Sequence, residues 1–188
     1  MGNISETNHV KLFCGILFSD ESQLRYIVKN LEDKYGKIDF TSNDMPFIYT
    51  DYYKKEMGDN LIRKFVSFKN LIEPCRLSLI KQYTNMLEKQ TCKQNMRTIN
   101  IDPGYLDMAK VVLASTKDYT HRLYLGNGIY GEVTLHYKNC SYAFWPWTYP
   151  DYKTKEYLVF FEKVREKYKK VLSSQEKDQH ENRIYQFR

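Results

Sequence analysis

The hydrophobic pattern at the start of the chain predicts a buried strand followed by an amphipathic helix. Residues 11–18 contain seven consecutive non-polar positions from Leu12 onward, the length of a buried strand. Asp20 is suited to cap the following helix, and Gly36 is suited to end it. The apolar residues between them recur at spacings of three and four, which places them on one helical face: Leu24, Ile27, Val28 and Leu31.

Shorter apolar segments follow. Residues 38–40 and 47–49 lie on either side of a turn, and we interpret them as one interrupted strand or as a hairpin. Residues 63–71 alternate loosely between apolar and polar side chains and predict another strand. Pro74 suits the first turn of a second helix, which we expect to reach about Gln90.

The second half of the chain predicts mostly strands. Residues 99–102 alternate, and Pro103 and Gly104 are expected to end that strand. Residues 106–115 fit either a short helix or a strand, and we favour the helix. A hairpin turn is expected at 126–128. The remaining elements are predicted as strands over 123–125, 129–137 and 142–145 and a last helix over 154–172.

This order of elements indicates an α+β domain. The first six elements follow the β-α-β-β-α-β order of ferredoxin-like folds, and a β-meander and a C-terminal helix come after them. We therefore expect a mixed or antiparallel sheet. The expected organisation is a disordered leader at residues 1–10, a single α+β domain at 11–172 and a mobile polar tail at 173–188.

Composition excludes several classes of protein. Apolar residues make up 42% of the 188 residues, as in globular chains, and no apolar run approaches the roughly 20 residues of a transmembrane helix. We therefore expect no membrane partner and a cytoplasmic location. The four cysteines do not have the spacing of zinc ligands, so free thiols and no metal-ligating residues are expected.

The charge of the chain is less informative. A net charge of +6 is compatible with an anionic partner but does not require one. The chain is also rich in Lys and Tyr, with 17 Tyr, and poor in Ala. Such a skew is equally explained by the base composition of a genome, so charge alone does not identify a function.

The densest series of polar residues lies in the second half of the chain. Alternate residues of a strand share a face, so Glu132, Thr134 and His136 are expected on one face of their strand. Asp102 and Arg122 occupy the polar faces of two other predicted strands. If the three strands are neighbours, the polar faces converge on one surface of the sheet.

Cations flank this polar surface. Lys117 and His121 lie close to Arg122 in the sequence, and such cations are suited to bind phosphate or carboxylate groups. The surface is therefore a candidate site for an anionic small molecule. The candidate ligand-binding residues are Asp102, Tyr105, Lys110, Lys117, His121, Arg122, Tyr124 and Glu132.

These residues also have structural interpretations. Asp102 before Pro103 is a common turn former, Lys117 can be simply solvated, and Glu132 opposite Arg122 can form a cross-strand ion pair. The two interpretations of Arg122 differ in their consequences. If Arg122 holds a ligand at a partly buried position, replacement by Ala should cost little stability, whereas loss of an ion pair should destabilise the protein.

Five sequence blocks in the second half of the chain are distinctive. They are Asn-Ile-Asp-Pro-Gly-Tyr (100–105), Lys-Val-Val-Leu-Ala-Ser-Thr-Lys (110–117), His-Arg-Leu-Tyr-Leu-Gly (121–126), Gly-Ile-Tyr-Gly-Glu-Val-Thr-Leu (128–135) and Pro-Trp-Thr-Tyr-Pro-Asp-Tyr (146–152). With these blocks the chain resembles DUF4416, a family of bacterial and archaeal proteins of unknown function. The resemblance covers residues 11–172 and implies no established activity, although some relatives carry the label "GTP-binding protein".

The residues do not support a GTPase of the P-loop class. A P-loop requires a glycine-rich turn that ends in Gly-Lys-Ser/Thr, and the sequence has no such run. The glycines between Gly126 and Gly131 have no lysine beside them and lie in a predicted hairpin. A guanine-reading Asn/Thr-Lys-x-Asp motif would need Asp at the position of Tyr119.

Three functions remain. The first is binding of a phosphorylated small molecule or nucleotide, with or without catalysis, on the polar sheet face; Asp102 and Glu132 would then bind Mg²⁺ as a cofactor. The second is an RNA-binding module that uses a ferredoxin-like sheet, although the aromatic motif of the common RNA-binding class is absent. The third is a protein-interaction or scaffold role.

Overall fold

The chain forms one antiparallel sheet with helices on both faces. This computed structural model describes residues 2–4, 7–94 and 96–186, and the side chains of the last helix as far as residue 175. The elements are β1 (Val10–Phe18), α1 (Glu21–Tyr35), β2 (Ile38–Thr41), β3 (Met45–Pro46), α2 (Lys54–Met57), β4 (Ile62–Ile72), α3 (Leu77–Gln90), β5 (Ile99–Leu106), β6 (Lys110–Ser115), β7 (Leu123–Gly126), β8 (Ile129–Lys138), β9 (Ser141–Phe144) and α4 (Lys155–Gln186).

The sheet confirms the predicted α+β class. Its strands follow the order β2-β4-β1-β5-β6-β8-β7, with β3 on β4 and β9 on β8, and the pairs are antiparallel. The exact ferredoxin-like order of elements is not confirmed, because β3 and α2 intervene between β2 and β4.

Strand β1 lies in the middle of the sheet and explains the long apolar run of the sequence. Leu12 and Cys14 face the core formed with α1 and α3, whereas Phe13 faces the core formed with α4. Because both faces are covered, polar residues do not alternate with apolar ones along this strand. The two cores together bury the centre of the sheet.

The predicted boundaries of α1 are confirmed. Asp20 accepts a hydrogen bond from the backbone N–H of Ser22, and Gly36 adopts a φ of 93° at the C-terminal end. The left-handed region suits glycine because it has no Cβ. Of the four residues predicted on its apolar face, Leu24, Ile27 and Leu31 are buried in the core, and Val28 is partly buried against it.

The prediction for residues 99–115 was wrong in two respects. Strand β5 does not end at Pro103 but continues to Leu106, and the segment that we expected as a helix is strand β6. In β6, four consecutive residues from Val111 to Ala114 are buried, so both faces are apolar and the period-two signal of a strand is lost. A run of this kind cannot be assigned by periodicity alone.

The predicted alternation along β8 was also wrong. The register slips by one residue between the pairs Val111–Leu135 and Val112–Val133, which is a β-bulge at Thr134. The extra residue reverses the facing of the side chains beyond it. Glu132 and His136 therefore do not share a face, although they are four residues apart.

The last helix is longer than predicted. Helix α4 runs from Lys155 to Gln186, beyond the expected end at residue 172, so much of the predicted tail at 173–188 is helical backbone. Residues 187 and 188 lie outside the described part of the chain, as do residues 1, 5 and 6 of the predicted leader. Among the described residues, no helix combines the length and apolar character needed to cross a membrane.

Candidate functional site

The sheet opens between β5 and β6. β5 pairs with β1 along its whole length, from Ile99 to Leu106, but it pairs with β6 only from Gly104 onward. The first half of β5 therefore has no strand on its β6 side. An unpaired strand edge carries backbone groups that need other hydrogen-bond partners.

Two charged side chains of α3 provide hydrogen-bond partners for the backbone at this unpaired edge. Glu88 Oε1 accepts from the backbone N–H of Ile101 at 2.7 Å, and Lys81 Nζ donates to the carbonyl oxygen of Ile101 at 2.7 Å. Both side chains are buried. Helix α3 thereby replaces a neighbouring strand at this position and keeps the gap open.

A cleft of about 720 Å³ occupies the opening. Its volume lies within the usual range of small-molecule sites. Aromatic side chains form part of the wall: Phe47, Tyr49, Tyr52, Tyr53, Tyr119, Tyr149 and Tyr152. Six cationic and four acidic side chains line the same space: Arg63, Lys81, Lys89, Arg97, Lys117, Arg122, Glu88, Asp102, Glu132 and Asp151.

Asp102 forms the charged centre of the cleft. Its carboxylate accepts from Arg63 Nη1 at 3.0 Å and from Asn100 Nδ2 at 2.8 Å, and Lys81 Nζ lies 3.7 Å away. Burial by itself would raise the pKa of Asp102, but the charges of Lys81 and Arg63 outweigh burial and hold that pKa below its ordinary value. Asp102 is therefore ionised at neutral pH.

We expect Asp102→Asn to be less stable than the parent protein at pH 7, by about 1–3 kcal/mol, because a hydrogen-bonded charge is lost. The folded-state pKa is lowered, so the stabilisation is present above the unfolded pKa of about 3.9 and is lost as the pH falls through the lower folded pKa. Urea unfolding at pH 7 and below pH 4 should show the difference shrinking in acid.

The exposed Asp33 of α1 provides the control for this experiment, because it forms no ion pair with the described residues. Asp33→Asn should leave the stability nearly unchanged at both pH values. A stability loss in Asp102→Asn that is the same in acid as at pH 7 would contradict the assigned ion pairs.

Asp151 and Tyr152 line the cleft beside Arg63. Asp151 is buried, and burial raises the pKa of its carboxyl group above the ordinary value. It forms no salt bridge with the described side chains. The hydroxyl of Tyr152 and the Nε of Arg63 are also buried, and neither has a hydrogen-bond partner within the described part of the chain.

Arg122 and Glu132 form a buried ion pair on the other wall. Arg122 Nε donates to Glu132 Oε2 at 2.9 Å, and the two side chains are 3% and 2% exposed. The guanidinium also donates to Ser115 Oγ, to the carbonyl oxygen of Lys117 and to the hydroxyl of Tyr149. Its donors are thus directed at protein groups, as the ion-pair interpretation requires.

The aromatic loop after β9 supports this wall. β7 and β9 pair with different ends of β8, on the side away from β6, and leave the middle of that side without a strand. Trp147 Nε1 donates to the carbonyl oxygen of Val133 at 3.0 Å, and Thr148 Oγ1 donates to that of Thr134 at 2.7 Å. The loop fills the gap and so positions Tyr149 next to Arg122.

Four of the eight candidate residues line the cleft, namely Asp102, Lys117, Arg122 and Glu132. His121 lies behind them, with Nε2 3.0 Å from Glu132 Oε2 and its ring stacked on Trp147. The structure thus brings these candidates to one region through the opening in the sheet rather than through a flat polar face.

The other three candidates lie outside the cleft, so the structure does not bring them together with the first five. Tyr105 packs against the core below α1 and α3. Lys110 is paired with Asp107 at the far end of β6. Tyr124 is 64% exposed on the edge strand β7. These residues belong to the same sequence blocks as the cleft residues, but their strands direct them away from it.

The suggested Mg²⁺ site does not fit the structure. Asp102 is bound by Arg63 and Lys81, and Glu132 is bound by Arg122 and contacted by His121. Carboxylates neutralised in this way are poor ligands for a cation. Within the described ranges, no group of three or more metal-ligating side chains occurs.

The residues that β4, α3 and the loop before α4 contribute to the cleft were not predicted from the sequence. Lys81 and Glu88 are seven residues apart, on the helical face that also carries the buried Leu77 and Thr84. Charged residues on an otherwise buried face were the signal that could have identified them. Arg63, at the start of a strand, gave no comparable signal.

The fold and cleft define an α+β protein, in which the described residues form an antiparallel nine-stranded sheet that opens at its centre. The chain belongs to the family described as a domain of unknown function, DUF4416, whose model matches residues 8–168. No curated protein and no solved structure matches it. The family membership confirms the resemblance in the sequence blocks, and it assigns no activity.

Proposed function

We propose that the cleft between β5 and β6 binds a phosphorylated small molecule, of which a nucleotide is one form. The observation that carries the proposal is the excess of cationic over acidic side chains in a cleft of ligand size. Cations that have no acidic partner favour phosphate over a neutral ligand. Phosphorylated metabolites are abundant in the cytoplasm, which is the location that we propose for the protein.

Lys89 and Lys117 are the cations best placed to hold the phosphate. Both are exposed at the rim of the cleft, and neither forms a salt bridge with the described residues. Lys117 Nζ lies over the ring of Tyr52, 4.3 Å from its centroid. Arg122 is excluded from this role because its guanidinium is already bound by protein groups.

RNA binding on a sheet face has less support. That mode needs aromatic side chains on a face open to stacked bases. Here α1 and α3 cover one face of the central strands and α4 covers the other. The aromatic residues of the candidate site line the cleft instead, which favours a small ligand.

We expect Lys117→Ala and Lys89→Ala each to weaken the binding of a phosphorylated ligand by about tenfold, the effect of losing one charge-assisted contact. The exposed Lys29 of α1 is the matched control, and Lys29→Ala should bind as the parent protein does. The three variants should unfold at nearly the same temperature, because each change is at the surface.

A thermal-shift series with adenosine monophosphate, ribose 5-phosphate and propyl phosphate measures this binding. A ligand at a hundred times its Kd stabilises the native state by about 2.7 kcal/mol, which is readily detected. If none of the three compounds shifts the unfolding of the parent protein, or if Lys29→Ala weakens binding as much as Lys117→Ala, the proposed function is wrong.

A further inference from the structure

The floor of the cleft contains polar groups that the protein itself does not satisfy. Arg63 and Tyr152 are 2% and 3% exposed, and Arg63 Nε and the Tyr152 hydroxyl have no hydrogen-bond partner among the described residues. Buried polar groups are nearly always paired, so this pair indicates a group that the chain does not supply.

The floor offers both donors and acceptors. Arg63 Nε can only donate, and the Tyr152 hydroxyl can donate or accept. The carboxylates of Asp102 and Asp151 line the same floor and accept hydrogen bonds. A phosphate group only accepts, so it cannot supply a donor to the two carboxylates. A hydroxyl group both donates and accepts, so it can pair with the donors and with the acceptors of the floor.

We propose that the floor of the cleft binds the hydroxyl groups of a sugar or related polyol, so that the ligand is a phosphorylated polyol. The inference rests on the proposed function, because it places the phosphate at the rim with Lys89 and Lys117. The polyol then lies deeper, beside Arg63 and Asp151. Phe47 and Tyr53 in the wall provide apolar surface for the C–H groups of the ring.

Two probes of equal charge distinguish binding at the floor of the cleft from binding at its rim. Ribose 5-phosphate and propyl phosphate both carry a phosphomonoester, but only the first has hydroxyl groups on its carbon chain. Isothermal titration with the parent protein should give an affinity for ribose 5-phosphate that is at least about tenfold higher. Equal affinities would overturn the polyol assignment and leave the phosphate site at the rim intact.

Tyr152→Phe tests the floor with little risk to the fold. The lost hydroxyl has no partner in the described structure, so the variant should be as stable as the parent protein or slightly more stable. It should bind ribose 5-phosphate more weakly and propyl phosphate unchanged, which lowers the ratio of the two affinities several-fold. Asp151→Asn keeps the size of the side chain and should lower the ratio in the same way.

Tyr142→Phe is the matched control. Tyr142 is also buried, and its hydroxyl also lacks a partner among the described residues, but it lies in the core below α4 and away from the cleft. This variant should keep the parent ratio of affinities. A ratio unchanged in Tyr152→Phe and Asp151→Asn, or lowered equally in Tyr142→Phe, would overturn the inference. Failure of both probes and of adenosine monophosphate to bind the parent protein would remove the proposed function as well.

Discussion

Replacing Arg122 by Ala is expected to lower the free energy of unfolding by about 3–5 kcal/mol, the usual cost of removing one partner of a buried ion pair. The Glu132 carboxylate would remain 2% exposed and would lose its guanidinium. The hydroxyls of Ser115 and Tyr149 would lose a donor as well. Urea unfolding at neutral pH measures the change.

A second substitution tests the cause of this loss. Adding Glu132→Gln to Arg122→Ala removes the unpaired buried charge, so the double variant should recover part of the stability, and the two changes should not be additive. Arg25→Ala, at an exposed position of α1, is the control and should change stability by less than about 0.5 kcal/mol. A loss below about 1 kcal/mol in Arg122→Ala would contradict the buried ion pair.

The Arg122 result also bears on the site. The sequence left open whether this residue binds a ligand at little structural cost or forms an ion pair in the sheet. The contacts support the ion pair, and Arg122 thereby fixes the wall that carries Lys117, since it donates to the carbonyl oxygen of Lys117 at 3.0 Å. Weakened ligand binding in Arg122→Ala would thus reflect a displaced wall.

Gly104→Ala is expected to destabilise the protein by about 3 kcal/mol or more, at the upper end of the cost of overpacking a core. A Cβ at this position would meet the backbone carbonyl oxygen of Val112 and would lie 2.5 Å from Cζ of Phe13. The backbone of β6 and the ring of Phe13 are both buried, so neither can move without disturbing the core. Thermal and urea unfolding both measure the effect.

Gly131→Ala is the matched control for this substitution. Its Cβ would lie 2.9 Å from Cδ1 of Leu125, but that side chain is 38% exposed and can rotate into solvent. We expect a loss of under about 1 kcal/mol. If Gly104→Ala were as mild as Gly131→Ala, β5 and β6 would not approach as closely as described.

Gly104 also determines where the cleft begins. It is the first residue of β5 that pairs with β6, and the strands separate on its N-terminal side. A Gly104 variant that still folds should therefore have a changed cleft. β5 and β6 approach closely from Gly104 onward and separate before it, so the position of Gly104 marks both the close contact and the start of the cleft.

Part of this fold was predictable because its signals are local. The cap at Asp20, the apolar face of α1 and the glycine at position 36 lie within a short stretch of chain, and all were confirmed. The α+β class also followed from the order of the elements. Helix capping and the burial of one helix face require particular residue types at regular spacings. Those spacings can be recognised in the sequence.

The site was predicted only in part because its residues depend on contacts distant in the sequence. Asp102, Lys117 and Glu132 were identified from polar positions, but Arg63, which pairs with Asp102, and the groups at Asp151 and Tyr152 were not. Arg63 is 39 residues from Asp102 in the chain. The local sequence pattern does not indicate which strands will be neighbours in the sheet.

The sequence by itself therefore determined the class of the fold, the first strand and helix, the family and the region of the candidate site. The tertiary structure alone decided that residues 110–115 form a strand, because burial on both faces removes the alternation that distinguishes strand from helix. It also decided that Glu132 and His136 lie on opposite faces of the sheet, through one bulge in β8. The cleft exists because β5 and β6 pair over only part of their length, and strand pairing depends on the packing of the whole sheet.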